Sequence, residues 1–232
     1  MRAPLPRDAF ESALRELSAK YWDKHPFHVR LHAGESTAAE IRSWVANRWY
    51  YQRNLSQKNA AIIANCPLLE VRRRWVERIV FQDGSADSGG GLADWRTLAE
   101  AVGLSWEEVR DERHLLPGVR FAVDAYVNFC RTSPWTESAG AALTELFAPG
   151  LMAARVAVWQ EYYPWIDPSG HAYFQRRIPV VSGDSAYTLD LVLTHCSTRN
   201  QQEAALAALG FKCDVLWAML DAIAHATTEP GA

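Results

Sequence analysis

Apolar positions recur at three- and four-residue intervals along nearly the whole chain, and no run of alternating β-branched residues argues for a strand. The pattern predicts a helix from near Asp8 that turns Phe10, Leu14 and Leu17 toward a core. A second starts at Thr37, where Thr37-x-x-Glu40 has the spacing of a capping box, and runs to just before Pro67. A third covers Leu68 to Gln82 and ends in DGSADSGGG, a glycine- and serine-rich break. LADWRTLAEAV predicts a helix stopped by Gly103, and Ser105-x-x-Glu108 repeats the capping-box spacing. Helices are then expected over Val119 to Cys130, Thr136 to Phe147 and Leu151 to Tyr163. After the proline-punctuated YYPWIDPSG come short helices over His171 to Arg177 and Ser185 to Ser197, and a long one over Gln202 to Ala226. The breaks at 83–91 and 178–185 read as loops over a site rather than domain linkers. The architecture expected is one all-α, single-domain bundle.

Composition narrows the function classes. The chain has 232 residues, 49% of them hydrophobic, enough for one sizeable core. A formal net charge of -3 argues against a general nucleic-acid partner, which needs a clustered basic field. No stretch is long and apolar enough to span a bilayer, and MRAPLPRDAF lacks the apolar core of a signal peptide, so no membrane role and a cytoplasmic location are expected. The four cysteines, Cys66, Cys130, Cys196 and Cys213, form no C-x-x-C pair and read as reduced core residues.

The candidate chemistry lies in cations set among apolar neighbours, because a half-buried arginine needs an anion. Arg48, Tyr51 and Gln52 share one stripe of the second helix, with Lys58 further along. Arg155 sits in LMAARVAVW, Lys212 in LGFKCDVLW, and Tyr173 and Arg177 are one turn apart in HAYFQRR. Together they suggest a pocket for a polycarboxylate. The alternative is pairing of each arginine with a neighbouring carboxylate such as Glu145 or Asp214. Most of the ten tryptophans are expected to be core packing. Asp221-x-x-x-His225 puts two metal-ligand types on one face, but the further carboxylates of a helical di-iron site are missing, and no metal is expected. There is no G-x-S-x-G, Walker loop or dinucleotide fingerprint.

Set side by side, WVANRWYYQ, KNAAIIANCP, LPGVRFAVDAYVNF, LTELFAP, YYPWID, AYFQRR and FKCDVLWAMLDA resemble the pyrroloquinoline-quinone synthase family, from Phe10 to about Ala224. The resemblance implies a seven-helix bundle of the haem-oxygenase-like type, usually a homodimer, that uses no metal or organic cofactor. Its enzymes close the last ring of a tricarboxylate quinone precursor and oxidise it with molecular oxygen, releasing pyrroloquinoline quinone (PQQ) and hydrogen peroxide. By similarity Arg48, Gln52, Lys58, Arg78, Arg155, Arg177 and Lys212 would hold carboxylates and quinone oxygens. Tyr21, Tyr51, Tyr126, Glu145 and Tyr173 would line the ring.

The chain departs from the family where the family relies on histidines. Gln82 stands in place of the base in VFQDG, Met152 replaces a histidine three residues before Arg155, and Trp22 replaces the histidine after Tyr21. Neither Gln82 nor Met152 can take a proton near neutral pH. Two readings follow. One is a synthase or close relative in which Tyr173, Arg177 or His25 shares the proton traffic. The other is a protein that binds PQQ, its precursor or a related compound without turning it over. The chain ends at TTEPGA, shorter than the family's tail, which puts a lid built from that tail in doubt.

Overall fold

The structure, a computed structural model, describes residues 2–228, without the side chains at 149, 180–182 and 228. Its α-helices are α1 (Arg7–Glu16), α2 (Pro26–His32), α3 (Ala38–Asn65), α4 (Leu69–Asp83), α5 (Gly90–Ala101), α6 (Trp106–Arg110), α7 (Pro117–Thr132), α8 (Trp135–Ala142), α9 (Pro149–Tyr162), α10 (Ala172–His195) and α11 (Arg199–Thr228). Short 3₁₀ segments cover Leu17–Lys20, Trp22–Lys24, Leu143–Phe147 and Pro168–His171. The class is all-α as expected, but the described residues form eleven α-helices rather than seven. The excess comes from short pieces such as α2, α6 and α8, which prolines and extended residues set off from their longer neighbours.

α3 is the axis of the bundle. It packs on α4 and α7, while α11 lies along α7 and α8 and α10 along α9 and α8. Thr37 caps α3 with its side chain on the Glu40 N–H, and the Glu40 carboxylate accepts from Thr37 N at 2.8 Å, completing the expected box. The second expected box does not form: Ser105 is the N-cap residue of the five-residue α6 but makes no side-chain cap bond. A box not foreseen starts α11, where Thr198 N donates to Gln201 Oε1 at 3.0 Å and Gln201 N to Thr198 Oγ1 at 3.3 Å.

Two expected loops are corrected. The 83–91 break is a tight turn, closed by a Ser85–Ser88 bridge, and helix resumes at Gly90. Gly84, at φ 91°, is required there, because a Cβ would lie 2.2 Å from the Ser88 carbonyl oxygen. The 178–185 break is no break: α10 runs through Pro179. Tertiary contacts override the local signal, since Arg78 of α4 donates to the Asp184 carbonyl at 2.9 Å and to Thr188 Oγ1 at 2.7 Å. The residues after Thr228, including most of the TTEPGA end, lie outside the described residues.

No single described helix is long and apolar enough to cross a membrane. All four cysteines are buried and unbridged.

Candidate functional site

The polar stripe of α3 faces a slot inside the bundle. One lobe is lined by Leu55, Lys58 and Asn59 of α3, Arg78, Phe81 and Gln82 of α4, Glu145, and Arg177 and Asp184 of α10. A second lobe, sharing Leu55, Glu145 and Arg177 with the first, is lined by Tyr21, Trp22, Arg48, Tyr51, Met152, Arg155, Tyr173 and Phe174 among others. The free space left between the walls is about 40 and 60 Å³ in the two lobes, so the ligand-free slot is narrow. Residues 48, 51, 55 and 58 recur every three or four positions, so one face of a straight helix serves both lobes.

Five cations line this slot, Arg48, Lys58, Arg78, Arg155 and Arg177, against two carboxylates, Glu145 and Asp184. Arg78 faces both carboxylates, at 3.4 Å from Glu145 and 3.6 Å from Asp184. The other four cations have no carboxylate within 4 Å among the described residues, so one-to-one pairing of the arginines is overturned. Asp214, offered as such a partner, faces none of them. Arg48 instead lies over aromatic rings, its Cζ 4.0 Å from the Trp22 centroid and 4.7 Å from that of Tyr51, and its Nη1 has no hydrogen-bond partner. Trp22 thus fills its position with a ring that supports Arg48 from below.

The electrostatics follow from this surplus. Burial pushes the Glu145 carboxyl up, but Arg78, Lys58, Arg177 and Lys212 outweigh it and hold it below the usual carboxylate range. Burial, then Arg48, brings the Arg155 guanidinium down to about 9. Burial opposes the charge of Arg177 as well, but Tyr173 and Glu145 keep it above its ordinary value. Burial drives Tyr51 up to about 12, Tyr21 further, and Tyr126 well above the ordinary phenol value, so these phenols keep their protons.

Several expected residues stand one layer back. Gln52 is fully buried and accepts from Tyr173 Oη at 2.8 Å, while Gln82 Nε2 donates to the Gln52 carbonyl at 3.1 Å and its Oε1 at 3.2 Å. The expected base position is therefore an amide that fixes another amide, and through it Tyr173. Lys212 and Tyr126 lie behind Tyr51: Lys212 Nζ is 3.8 Å from the Tyr126 centroid and 4.2 Å from that of Tyr51. Met152 lines the slot as an apolar wall. His25 does not reach it. Its Nδ1 accepts the Phe27 N–H at 3.0 Å, capping α2, and its Nε2 faces Asp221 at 3.0 Å. His25 is thus a helix cap, because both ring nitrogens are committed outside the slot. Among the described residues no group of three or more His, Cys, Asp or Glu could hold a metal ion, Asp221 and His225 included.

The sequence reading passed over His28 and His32. Spaced one turn apart on α2, they receive Arg155 Nη2 at 3.0 and 3.4 Å. A guanidinium only donates, so both imidazoles act as neutral acceptors. Burial first and Arg155 second hold His28 well below its ordinary value and bring His32 to about 4. The i, i+4 spacing was the available signal. Phe174, Phe81 and Asp184 were also missed, since nothing in their local sequence distinguishes them from core or surface positions.

The fold has close counterparts among solved structures. A haem-oxygenase-like domain of unknown function from Shewanella denitrificans superposes with a TM-score of 0.77 at 12% identity, over 96% of this chain and 94% of that one. A TenA homolog from Pseudomonas syringae gives 0.72 at 11%, over 97% and 99%. The chain is 49% identical over 225 residues to the pyrroloquinoline-quinone synthase of Pseudomonas aeruginosa, covering 97% of this chain and 90% of the relative. It is 50% identical over 224 residues to that of Cronobacter sakazakii, covering 97% and 89%. The model of the TENA/THI-4/PQQC family matches residues 11–222. With near-complete coverage in both comparisons, the chain belongs to the TENA/THI-4/PQQC family.

Proposed function

We propose that this protein is a pyrroloquinoline-quinone synthase, an oxidoreductase of PQQ biosynthesis that closes and oxidises a tricarboxylate quinone precursor. The observation that carries the reading is the charge surplus of the slot: five cations, four of them buried and Arg177 half-buried, face two carboxylates, which leaves room for three more negative charges. A ligand with three carboxylates supplies that number, and arginines hold carboxylates through paired N–H donors. The relatives at about half identity carry the synthase name, which favours turnover over mere binding.

In this reading Arg48 and Arg155 hold carboxylates at one end, Arg78 and Lys58 at the other, and Arg177 lies where the two lobes meet. Tyr21, Tyr51 and Trp22 cover the ring, while Tyr173, pinned by Gln52, presents its phenol toward the quinone. Lys212 stands behind Tyr126, where burial, and then Lys58 and Arg48, push its ammonium well below the ordinary lysine value. Molecular oxygen is the electron acceptor, and neither a metal nor an organic cofactor takes part. The protein acts as one domain, in the cytoplasm and as a homodimer. Leu69, Val76 and Val80, exposed along one side of α4, offer an apolar stripe to a second copy.

The test is an aerobic titration of purified, metal-free protein with the precursor, following quinone absorbance and oxygen uptake over many equivalents. Repeated turnover with peroxide release is expected. Binding without turnover would replace the synthase with a quinone-holding relative, and absence of binding would remove the ligand class altogether.

A further inference from the structure

Taking a proton from carbon requires a basic group in the slot, and the three histidines the family would use there are absent. Gln82 and Met152 cannot accept a proton, Tyr21, Tyr51 and Tyr126 hold theirs, Glu145 and Asp184 are both engaged by Arg78 at 3.4 and 3.6 Å, and His28 and His32 lie behind Arg155 with their Nε2 atoms turned to it. Four of the five lining cations are arginines, which do not deprotonate usefully. The fifth is Lys58.

Lys58 projects from α3 into the lobe that also holds Gln82 and Arg177, and it is buried with no carboxylate within 4 Å among the described residues. Its Nζ stands 5.9 Å from the centroid of the Tyr126 ring, against which Lys212 Nζ lies at 3.8 Å. The two amines thus share one buried phenol, an arrangement in which each opposes charge on the other. The other groups facing Lys58 are Arg78 from α4, Cys130 from α7, Glu145 from the Leu143–Phe147 segment, and Arg177 from α10.

We propose that Lys58 is the proton acceptor of this site, its neutral amine standing in for the absent histidine base and deprotonating carbon on the bound quinone precursor. This rests on the functional reading above. The C–H bond breaks, an N–H bond forms on Lys58, and the electron pair passes into the ring conjugated with the quinone. The step therefore consumes no oxidant. Glu145 in the same lobe stabilises the new ammonium. The electrostatics agree: burial foremost, and then Arg78 and Arg177 against the pull of Glu145, brings the Lys58 ammonium down to about 8.

Two measurements decide the matter. Competitive acetylation of the ligand-free protein with acetic anhydride, from about pH 6 to about pH 11, is read by peptide mass spectrometry with the exposed Lys20 and Lys24 as references. Half-deprotonation of Lys58 near pH 8 is expected; a midpoint above about 10, that of a free lysine, overturns the proposal. Lys58→Arg keeps the charge and loses the proton-accepting amine. It should bind PQQ within about threefold of the wild-type protein and turn over at least ~100-fold more slowly, the scale of a lost general base. Turnover by this variant at the wild-type rate with an unchanged pH profile overturns the proposal alone. A wild-type protein that binds no quinone overturns the functional reading, and this step with it.

Discussion

Replacing Arg48 by Met separates the two roles a buried guanidinium can play. In the ligand-free protein Arg48 is held by ring faces alone: Trp22 at 4.0 Å, Tyr51 at 4.7 Å and Trp44 at 5.8 Å from its Cζ. A desolvated cation–π contact contributes about 2 kcal/mol. Against it stands the desolvation of an ion with no carboxylate beside it, which amounts to several kcal/mol. Burial accordingly lowers the Arg48 pKa even though Tyr51, Tyr173 and Tyr21 favour its charge. Methionine keeps most of the stem's volume and removes the charge, so Arg48→Met should leave the ligand-free protein unchanged or up to about 2 kcal/mol more stable. For a chain of this size that is a rise of up to about 8 °C in Tm.

Ligand binding should change in the opposite direction. Losing the charge-assisted hydrogen bonds to a carboxylate costs about 1.5–3 kcal/mol, a Kd for PQQ weaker by roughly 10- to 150-fold. At a PQQ concentration about 100 times the wild-type Kd, binding adds ~2.7 kcal/mol to the stability of the wild-type protein. With a Kd weakened ~30-fold the same concentration adds only ~0.9 kcal/mol. Thermal melts with and without PQQ, together with tryptophan quenching for Kd, read both quantities from the same samples. A variant that melts lower without ligand and keeps the full PQQ shift would refute the reasoning, since Arg48 would then be holding the fold rather than waiting for an anion.

The two capping-box sequences should respond unequally to alanine. Thr37→Ala should cost about 1 kcal/mol and roughly 2–4 °C in a thermal melt, whereas Ser105→Ala, which removes no cap bond, should fall within about 0.5 kcal/mol of the wild-type protein. Stability should fall as pH drops below about 6.5, because the unfolded chain takes up a proton that folded His28 refuses, at a limiting slope of about 1.4 kcal/mol per pH unit for that group. His28→Asn keeps an acceptor for Arg155 without a titration and should flatten the slope in urea unfolding at pH 7, 6 and 5; an identical slope would show that His28 charges in the fold. Gln82→His restores an imidazole opposite Lys58 and should move the acid limb of turnover from near 8 toward roughly 6.5, read in a pH–rate profile.

Most of the helices were legible because their causes are local. Phe10 and Leu14 of α1, the Thr37–Glu40 box and the stop before Pro67 depend on neighbours within one or two turns. Where the cause lies elsewhere in the chain, local signals misled. Pro179 and Gly183 look like a break, yet α10 continues because Arg78 on another helix bonds the Asp184 carbonyl and Thr188. Ser105 has the same spacing to Glu108 as Thr37 to Glu40 and makes no bond, while Thr198 and Gln201, with an amide in place of the acid, make both.

The site was legible in its charges and illegible in its partners. A polar stripe on an apolar helix is visible in the sequence, and Arg48, Tyr51 and Lys58 do face one slot. Which groups accept, donate or titrate is set by the second residue of each contact, and those residues are far apart in the chain. His25 looks like proton chemistry until Phe27 and Asp221 are placed against it, and His28 looks incidental until Arg155 arrives from 127 residues away. Lys58 shows the same dependence with the greatest consequence. Its place on the polar stripe was legible, but its neighbour Gln57 is exposed and nothing beside it in the sequence sets its basicity. Only the convergence of α4, α7, α10 and α11 strips away its water and surrounds it with cations, turning an ordinary side chain into one that can share its proton near neutral pH. Exchanging histidines for Gln82, Met152 and Trp22 thus did not remove the basic group of the slot. It left the proton to a lysine whose basicity the bundle itself sets.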